Sequence, residues 1–446
     1  MFRLYSQPLS LLSAFQGGFV TACVLFLCSG AFCATTIARP TFARDVAPIL
    51  HQHCAVCHHA GEVAPFPLLS YADAKPRAAL IAEVTQKRLM PPWQPVAGYG
   101  HFQGERRLTA LQISVLQRWS AQGAAAGDLS RAPVPPSFSD DWKLGTPDLV
   151  VRLPGPVKVA ADGPDSYQCF VIPMNLPQDK FVRAVEFRPS NRRVVHHALL
   201  FTDATHIARE PRYSCFGTLG LFPTTGLGGW SPGNQPIQML PRAAVPVAAG
   251  SRLVAQVHYH PDGKEEEDQW SVGLYFTDKA PERRVVDVGL ASRRIDIPAG
   301  EAHYVVKEHF TIPIAVDAIG IIPHAHLICR EMRGWAVLPT GRKIWLLNIR
   351  DWDFNWQDQY RYATPIRLPA DTRIEMEFVY DNSSANPRNP HSPPQRVVAG
   401  PGTEDEMAGL HVQSIPVHMD ELPELGRALW GAVMRSVGGS FYRLPQ

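Results

Sequence analysis

The sequence lacks the features that mark several large classes of protein. Its 446 residues include 43 Lys and Arg against 41 Asp and Glu, a net charge of only +2, with no basic stripe and no acidic tail. This balance argues against nucleic acid as a partner. There is no internal repeat or low-complexity tract, and only one apolar run, near the N-terminus, approaches the length that a bilayer span needs. The length and the 45% hydrophobic content indicate a globular protein of several domains.

The apolar run covers about residues 18–32 and follows the basic start Met1-Phe2-Arg3. Small residues at its end would suit a signal peptidase, so residues 1–35 are predicted to be an export signal. An uncleaved N-terminal membrane anchor is the alternative. Either form predicts a periplasmic or otherwise exported protein, in a compartment where disulfides can form.

The sequence pattern of the rest of the chain changes once, from helical spacing to short strand-like segments. Residues 41–123 are predicted to be a small helical domain, because apolar residues recur at positions 108, 111, 115, 116 and 119 before Gly123. An Ala- and Pro-rich linker covers residues 124–145. Beyond it, short β-branched and aromatic segments alternate with turn residues, as at 182–187, 253–259, 344–349 and 374–380. About 300 residues exceed one β-sandwich, so we expect two, over residues 146–299 and 300–446.

The helical segment contains the motif Cys54-Ala55-Val56-Cys57-His58. Two thiols at this spacing can form thioethers to a haem, while the adjacent imidazole binds the iron. Half of a zinc site is the alternative, but no second CxxC follows. We therefore predict covalent haem c on Cys54, Cys57 and His58.

A sixth iron ligand is expected downstream. Met90, in the rigid turn Leu89-Met90-Pro91-Pro92-Trp93, is the favoured candidate, and a thioether ligand would raise the haem potential. The alternative is that Met90 is an ordinary core residue and that His101 or water is the sixth iron ligand. With this turn, residues 41–123 resemble a class I cytochrome c domain.

Three histidine pairs lie in the strand-rich region: His196-His197, His258-Tyr259-His260 and His324-Ala325-His326. In a strand, residues two apart share a face, so His324 and His326 can hold one metal, whereas adjacent histidines need a bulge or a strand end. One pair alone is more often two surface histidines. Three pairs together, with Met407 in the acidic segment 402–410, favour copper, since imidazole and thioether ligands suit it.

On these motifs, residues 146–419 resemble the ascorbate-dependent type II copper monooxygenases, which hydroxylate peptides and dopamine. The resemblance implies two jelly-roll-like β-sandwiches that face a solvent-filled cleft, with one copper on each. It implies that His196, His197 and His258 hold the first copper, with His260 as a competitor for His258. It also implies that His324, His326 and Met407 hold the second, catalytic copper, and that Cys169 and Cys215 form a disulfide.

The sequence departs from that family where the peptide-hydroxylating members bind the substrate carboxylate. Those positions are Ile322, Gly409 and His411 here, which makes a glycine-ended peptide an improbable substrate. Most of the family's other disulfide cysteines are absent, and Cys329 is expected to be a buried thiol rather than a spare ligand. Residues 421–446 fall outside the resemblance and are predicted to be an amphipathic helix with a tail.

Together these expectations describe an exported monooxygenase that hydroxylates a C–H bond of a small organic substrate with O₂. Electrons would arrive through the fused haem domain from an ascorbate-like reductant or a redox protein. A non-enzymatic electron-transfer or copper-handling protein is the main alternative. A zinc-binding carbohydrate module is a third.

Overall fold

The computed structural model of the chain describes residues 39–138, 141–208, 210–215, 225–400 and 402–436. The expected signal, residues 1–35, lies outside this range. The fold is mainly β, with 37% strand and 16% helix in several sheets, as predicted. No helix in the described ranges is both long and apolar enough to cross a bilayer.

Residues 42–121 contain short helices, and long loops follow α1 and α3. A π-helical turn, Phe42–Val46, leads into α1 (Ala47–His53), and α2 (Tyr71–Ala74), α3 (Ala78–Gln86) and α4 (Ala110–Ala121) follow. The Thr109 and Gln112 side chains cap the start of α4 reciprocally, which satisfies two N–H groups that the helix leaves unpaired. Gly123, at φ +87°, lies just beyond its end. The helical character of this segment agrees with the sequence, and its assignment to the cytochrome c class stays a prediction.

A first group of strands follows the linker. Its strands are β1 (Leu149–Arg152), β2 (Val157–Val159), β3 (Ser166–Pro173), β4 (Lys180–Arg188), β5 (Val195–Asp203), β6 (Arg212–Ser214), β7 (Thr225–Trp230), β8 (Ile237–Gln238), β9 (Val245–Val247), β10 (Arg252–Tyr259), β11 (Glu266–Asp268) and β12 (Ser271–Thr277). They form two five-stranded antiparallel sheets with the orders β1-β12-β4-β8, with β9 also on β4, and β6-β3-β10-β5-β7. Apolar residues of both sheets, such as Val182 and Leu253, form one core.

A second group of strands surrounds a separate core. Its strands are β13 (Val286–Ser292), β14 (Asp296–Ile297), β15 (Tyr304–Thr311), β16 (Val316–His324), β17 (Cys329–Val337), β18 (Lys343–Ile349), β19 (Tyr360–Leu368), β20 (Arg373–Tyr380), β21 (Val397–Val398) and β22 (Ala408–Pro416). They form two four-stranded sheets with the orders β13-β22-β16-β19 and β15-β20-β17-β18. Helix α5 (Leu422–Ser436) follows and buries Leu425 in this core. The C-terminal helix expected from the sequence is therefore present, and the residues after 436 lie outside the described ranges.

Strand pairing passes from the first group to the second between Thr277 and Val286. The pairs β13–β22 and β14–β21 join residues 286–297 to the second group, so the boundary predicted between residues 299 and 300 lies too far along the chain. The four strand segments expected from composition fall within β4, β10, β18 and β20.

Cysteine chemistry agrees with two expectations. Cys169 on β3 forms a disulfide with Cys215, just after β6, which is the pairing that the family resemblance implied. Cys329 is a fully buried thiol at the start of β17.

The helical segment packs against both strand groups. The backbone N–H of Val96 donates to the carbonyl of Asn348 at 2.8 Å, and that of Gln103 donates to Arg361 at 2.8 Å. On the first group, Arg192 forms an ion pair with Glu62 at 3.0 Å. Because different parts of this segment contact different strand groups, it lies where the groups meet.

Candidate metal centres

Three imidazoles converge at one end of the first strand group. The Nδ1 atom of His197 lies 3.3 Å from Nδ1 of His196 and 3.3 Å from Nδ1 of His258. Ligand atoms of all three residues lie within 4.8 Å of one another. Nitrogen lone pairs brought this close repel each other unless a cation or a proton lies between them, so this cluster has the chemistry of a metal site.

A β-bulge makes this convergence possible. His258 pairs with His197 across the β10–β5 ladder, but the next residue, Tyr259, pairs with Val195. His196 is therefore the extra residue of the bulge, which turns its side chain away from strict alternation. Adjacent histidines can act together only at a bulge or a strand end, as expected from the sequence, and this bulge meets that requirement.

Burial and ring position distinguish His258 from His260, although both rings contact the carboxylate of Asp165. His258 donates from Nε2 to one oxygen of Asp165 at 2.6 Å, and His260 donates from Nδ1 to the other at 2.7 Å. His258 is buried and keeps its Nδ1 toward the cluster, whereas the side chain of His260 is 61% exposed. A carboxylate that holds one ring nitrogen fixes the tautomer and leaves the other nitrogen free for a metal.

The surroundings keep these imidazoles neutral. Burial, together with the charge of His258, lowers the pKa of His196 to about 4. Burial also lowers the pKa of His197 well below its usual value. The pKa of His258 is lowered by burial, although Asp165 opposes the shift. Neutral imidazoles offer lone pairs without having to lose a proton first.

The second histidine pair lies where β16 ends. The rings of His324 and His326 are 5.3 Å apart and nearly perpendicular. Strand alternation, however, does not bring them together, because β16 ends at His324 and His326 belongs to the following turn. His324 donates from Nδ1 to Gln357 at 2.6 Å, and His326 donates from Nδ1 to the carbonyl of Asp405 at 3.0 Å. Each ring therefore keeps Nε2 for a ligand.

Met407 immediately precedes β22, whose residue Gly409 pairs with His324. This register brings the backbone of Met407 beside the His324–His326 turn, from a segment about 80 residues further along the chain. The hydroxyl of Tyr380 donates to the Met407 carbonyl at 2.6 Å and anchors it there.

The buried side-chain carboxyl group of Glu406 joins the two segments. It accepts the backbone N–H groups of His326 at 2.8 Å, Ile328 at 2.9 Å and Met407 at 3.1 Å. Burial raises the pKa of Glu406 to about 8, although these N–H groups oppose the shift. Glu406 is thus a positioning residue for both His326 and Met407.

The predicted haem motif adopts a compact turn. The imidazole of His58 donates from Nδ1 to the carbonyl of Phe66 at 3.0 Å, which leaves Nε2 free for iron. Cys54 and Cys57 are free thiols. A Cβ on Gly233, at φ +82°, would lie only 2.8 Å from Cys57 Sγ, so the motif contacts the loop after β7. These residues have the donor set that haem c needs.

The structure does not join Met90 to this motif directly. Met90 lines a cavity of about 570 Å³ with Arg88, Arg107 and Arg350, and neither thiol of the motif nor His58 is on its wall. The described residues therefore leave Met90 as iron ligand a prediction. His101 is exposed, in the loop before α4.

Several residues of these centres were not identified from the sequence. Nothing in the sequence singles out Asp165, and Glu406 enters only as part of the acidic segment 402–410. Gln357 carried no local signal at all. Asp165 lies four residues before Cys169, whose disulfide was expected, and this position could have drawn attention to it. Its contact with His258, however, depends on the pairing of β3 with β10.

Comparisons with known proteins add little to this geometry. No protein-family model and no curated protein sequence matches the chain. Among solved structures, infectious bursal disease virus Gx strain covers 63% of this chain and 74% of its own at 8% identity, with a TM-score of 0.20. PBCV-1 VP54, fitted into a reconstruction of the virophage Sputnik, covers 60% and 92% at 8% identity and a TM-score of 0.22. The CBM22 tandem domain of Paenibacillus barcinonensis Xyn10C covers 63% and 97% at 9% identity and a TM-score of 0.15. Likenesses this weak define neither a fold family nor a function.

Proposed function

We propose that this chain is an exported, copper-dependent monooxygenase of the type II class, with a fused haem c domain in residues 41–123. The observation that carries the proposal is the convergence of His196, His197 and His258, three neutral imidazoles from two strands, on one point. The fold would then be two jelly-roll-like sandwiches, one for each strand group. The substrate would be a small organic molecule, and an ascorbate-like reductant or a redox protein would supply electrons.

The chain's own residues would form two separate copper sites. His196, His197 and His258 would hold the first copper, with Asp165 orienting His258. His324, His326 and Met407 would hold the second, with Gln357 and the Asp405 carbonyl orienting the rings. When bound, the coppers supply the O₂ and electron chemistry, and the protein supplies position and electrostatics. Cys54, Cys57 and His58 would hold the haem, with Met90 as the proposed second axial ligand.

The thioether gives the sharpest test. Met407→Ile keeps side-chain bulk but removes the soft sulfur donor, so the second site should lose its preference for Cu(I). In the copper- and haem-loaded protein, we expect substrate-stimulated O₂ consumption to be abolished while the haem spectrum is unchanged.

Met419→Ile, beyond β22, is the matched control and should retain activity. If wild-type protein consumes O₂ and forms no organic product, the alternative of an electron-transfer or copper-handling protein is favoured instead. Zinc in place of copper in the fully loaded protein would contradict both the monooxygenase and the copper-handling protein.

A further inference from the structure

A cavity of about 190 Å³ lies where the helical segment and the two strand groups meet. The helical segment contributes Val63, Trp93 and Arg106 to its wall, and the first strand group contributes His196 and His197. The second group contributes Gln357, the residue that orients His324. The cavity therefore adjoins the first histidine cluster and reaches a residue that contacts the second.

Most of the wall is apolar and aromatic. The ring of Trp93 meets that of Tyr360 edge-on at 5.5 Å and that of Phe102 at 6.2 Å, which holds it in a fixed orientation. Val195 and Trp356 extend this apolar surface. An apolar cavity of roughly 150 Å³ is enough to bind benzene. The volume here suits one ring with a small substituent.

The charges on the wall are paired. Arg106 forms an ion pair with Asp358 at 2.6 Å, with both side chains mostly buried. Arg193 is paired with Asp262 at 2.6 Å. Because the cationic groups already have carboxylate partners, a charged ligand would gain little here and would still lose its hydration.

Two polar atoms of the wall residues lack a partner. Trp93 Nε1 and Arg106 Nε are buried, and neither has a hydrogen-bond partner within the described part of the chain. Burying an N–H group without an acceptor is unfavourable, so such donors are normally satisfied by a ligand or by water. A ligand oxygen that accepts a hydrogen bond would satisfy this requirement.

We propose that this cavity binds a small, uncharged, ring-containing molecule with one hydrogen-bond acceptor oxygen, such as an aryl ketone, and that the helical segment contributes directly to its recognition. This inference rests on the proposed function in one respect: it assigns this molecule as the oxygenase's substrate because Gln357, on the cavity wall, holds His324 of the second copper site. The binding itself is independent of turnover. Trp93 and Arg106 are the specificity-determining residues, and Val63 closes one side.

The test measures the binding of three probes to the copper- and haem-loaded full-length protein by titration calorimetry under nitrogen. Acetophenone has a ring and an acceptor oxygen, ethylbenzene has no acceptor, and benzoate is charged. We expect acetophenone to bind on the order of fivefold more tightly than ethylbenzene, the difference that one net hydrogen bond supplies. Benzoate should not bind.

Two pairs of variants locate the site. Trp93→Phe keeps the ring but removes the N–H, so it should reduce the preference for acetophenone, whereas Trp345→Phe, outside the cavity, should leave it unchanged. Val63→Phe should fill the cavity and abolish binding. Val134→Phe, at a side chain that is 88% exposed in the linker, is its control.

The proposal is overturned if no probe binds, if benzoate binds as tightly as acetophenone, or if Val63→Phe leaves binding intact. Failure of the two proposals can be told apart. Probe binding that is sensitive to Val63→Phe, without any O₂ consumption, would contradict the oxygenase and leave the binding site standing. Substrate-stimulated O₂ consumption that Val63→Phe does not affect would contradict the cavity and leave the oxygenase standing.

Discussion

At the scale of single residues, three of the candidate copper ligands share one arrangement: a protein acceptor holds one ring nitrogen and the other stays free. Asp165 does this for His258, Gln357 for His324, and the Asp405 carbonyl for His326. The free nitrogen is Nδ1 in His258 and Nε2 in the other two. The partner thus sets which nitrogen can bind a metal.

His197 is central to the first cluster, because its Nδ1 is within 3.3 Å of both neighbouring imidazoles. His197→Ala should remove copper from this cluster and leave the second copper bound. Metal analysis and the Cu(II) electron paramagnetic resonance spectrum would measure this. His309→Ala, an exposed strand histidine, should retain both coppers. Full copper content in His197→Ala would show that the cluster is not a copper site.

Glu406 supports the second site through three backbone N–H groups. Glu406→Ala leaves these groups without their acceptor, at about 1–3 kcal/mol for each one that stays buried. We expect a lower midpoint in denaturant unfolding and weaker copper binding at His324 and His326. Glu404→Ala, at an exposed neighbour, should change neither. Unaltered copper affinity in Glu406→Ala would remove its positioning role.

At the scale of elements, strands β5 and β10 carry the first cluster at one end and an ion pair at the other. Asp203 ends β5 opposite Arg252, which begins β10, and the two side chains are hydrogen-bonded. Asp203 also accepts the backbone N–H groups of Thr205 at 3.1 Å and Ile207 at 3.3 Å. This carboxylate therefore joins the strand pair to the following loop.

The ion pair between Asp203 and Arg252 leads to a prediction about the stability of the fold in acid. Burial alone would raise the pKa of Asp203, but Arg252 and the loop N–H groups outweigh it, so the pKa lies below its usual value. A carboxyl with a depressed folded pKa stabilises the fold above its unfolded pKa, about 3.9, and loses this contribution as pH falls through the folded value. Asp203→Asn should therefore destabilise at pH 7 and weaken the loss of stability below about pH 4. Unfolding of the wild type, Asp203→Asn and the exposed control Asp162→Asn, measured from pH 2 to 7, would check this.

At the scale of the whole molecule, the helical segment is attached by more than its linker. Gln94 donates through its side chain to the carbonyls of Trp356 at 2.6 Å and Asp353 at 3.1 Å. Arg106 adds the buried ion pair to Asp358. These contacts come in addition to the backbone bonds to β18 and β19.

A cut in the linker should therefore leave the molecule whole. A protease site placed at Val134 should be cleaved readily, because that side chain is 88% exposed. The two fragments should then elute together in gel filtration. Combining the cut with Gln94→Ala and Arg106→Ala should favour separation. Separation of the fragments without these changes would show that the interface is too weak to hold the segment alone.

Much of this organisation was predictable from local pattern. Helical spacing identified the segment around α4, and alternating apolar residues identified β4, β10, β18 and β20, because both patterns reflect which side chains a regular element buries. The two His-x-His pairs and the adjacent His-His pair were recognisable for a different reason, because imidazoles within apolar runs are unusual. Leu111 shows the limit: it follows the helical spacing but is 52% exposed, because burial also needs a neighbour on that side.

The sequence by itself determined the mainly β fold, the helical segment, the histidine pairs and the disulfide that their resemblance implied. Only the tertiary structure decided that His258 rather than His260 joins His196 and His197, because a bulge and the end of β10 set where each ring points. It also decided that Asp165, Gln357 and Glu406 hold these rings, and that Val63, Trp93 and Arg106 share a cavity with His196. These groupings depend on strand register and on packing between distant segments, which no local pattern of residues encodes.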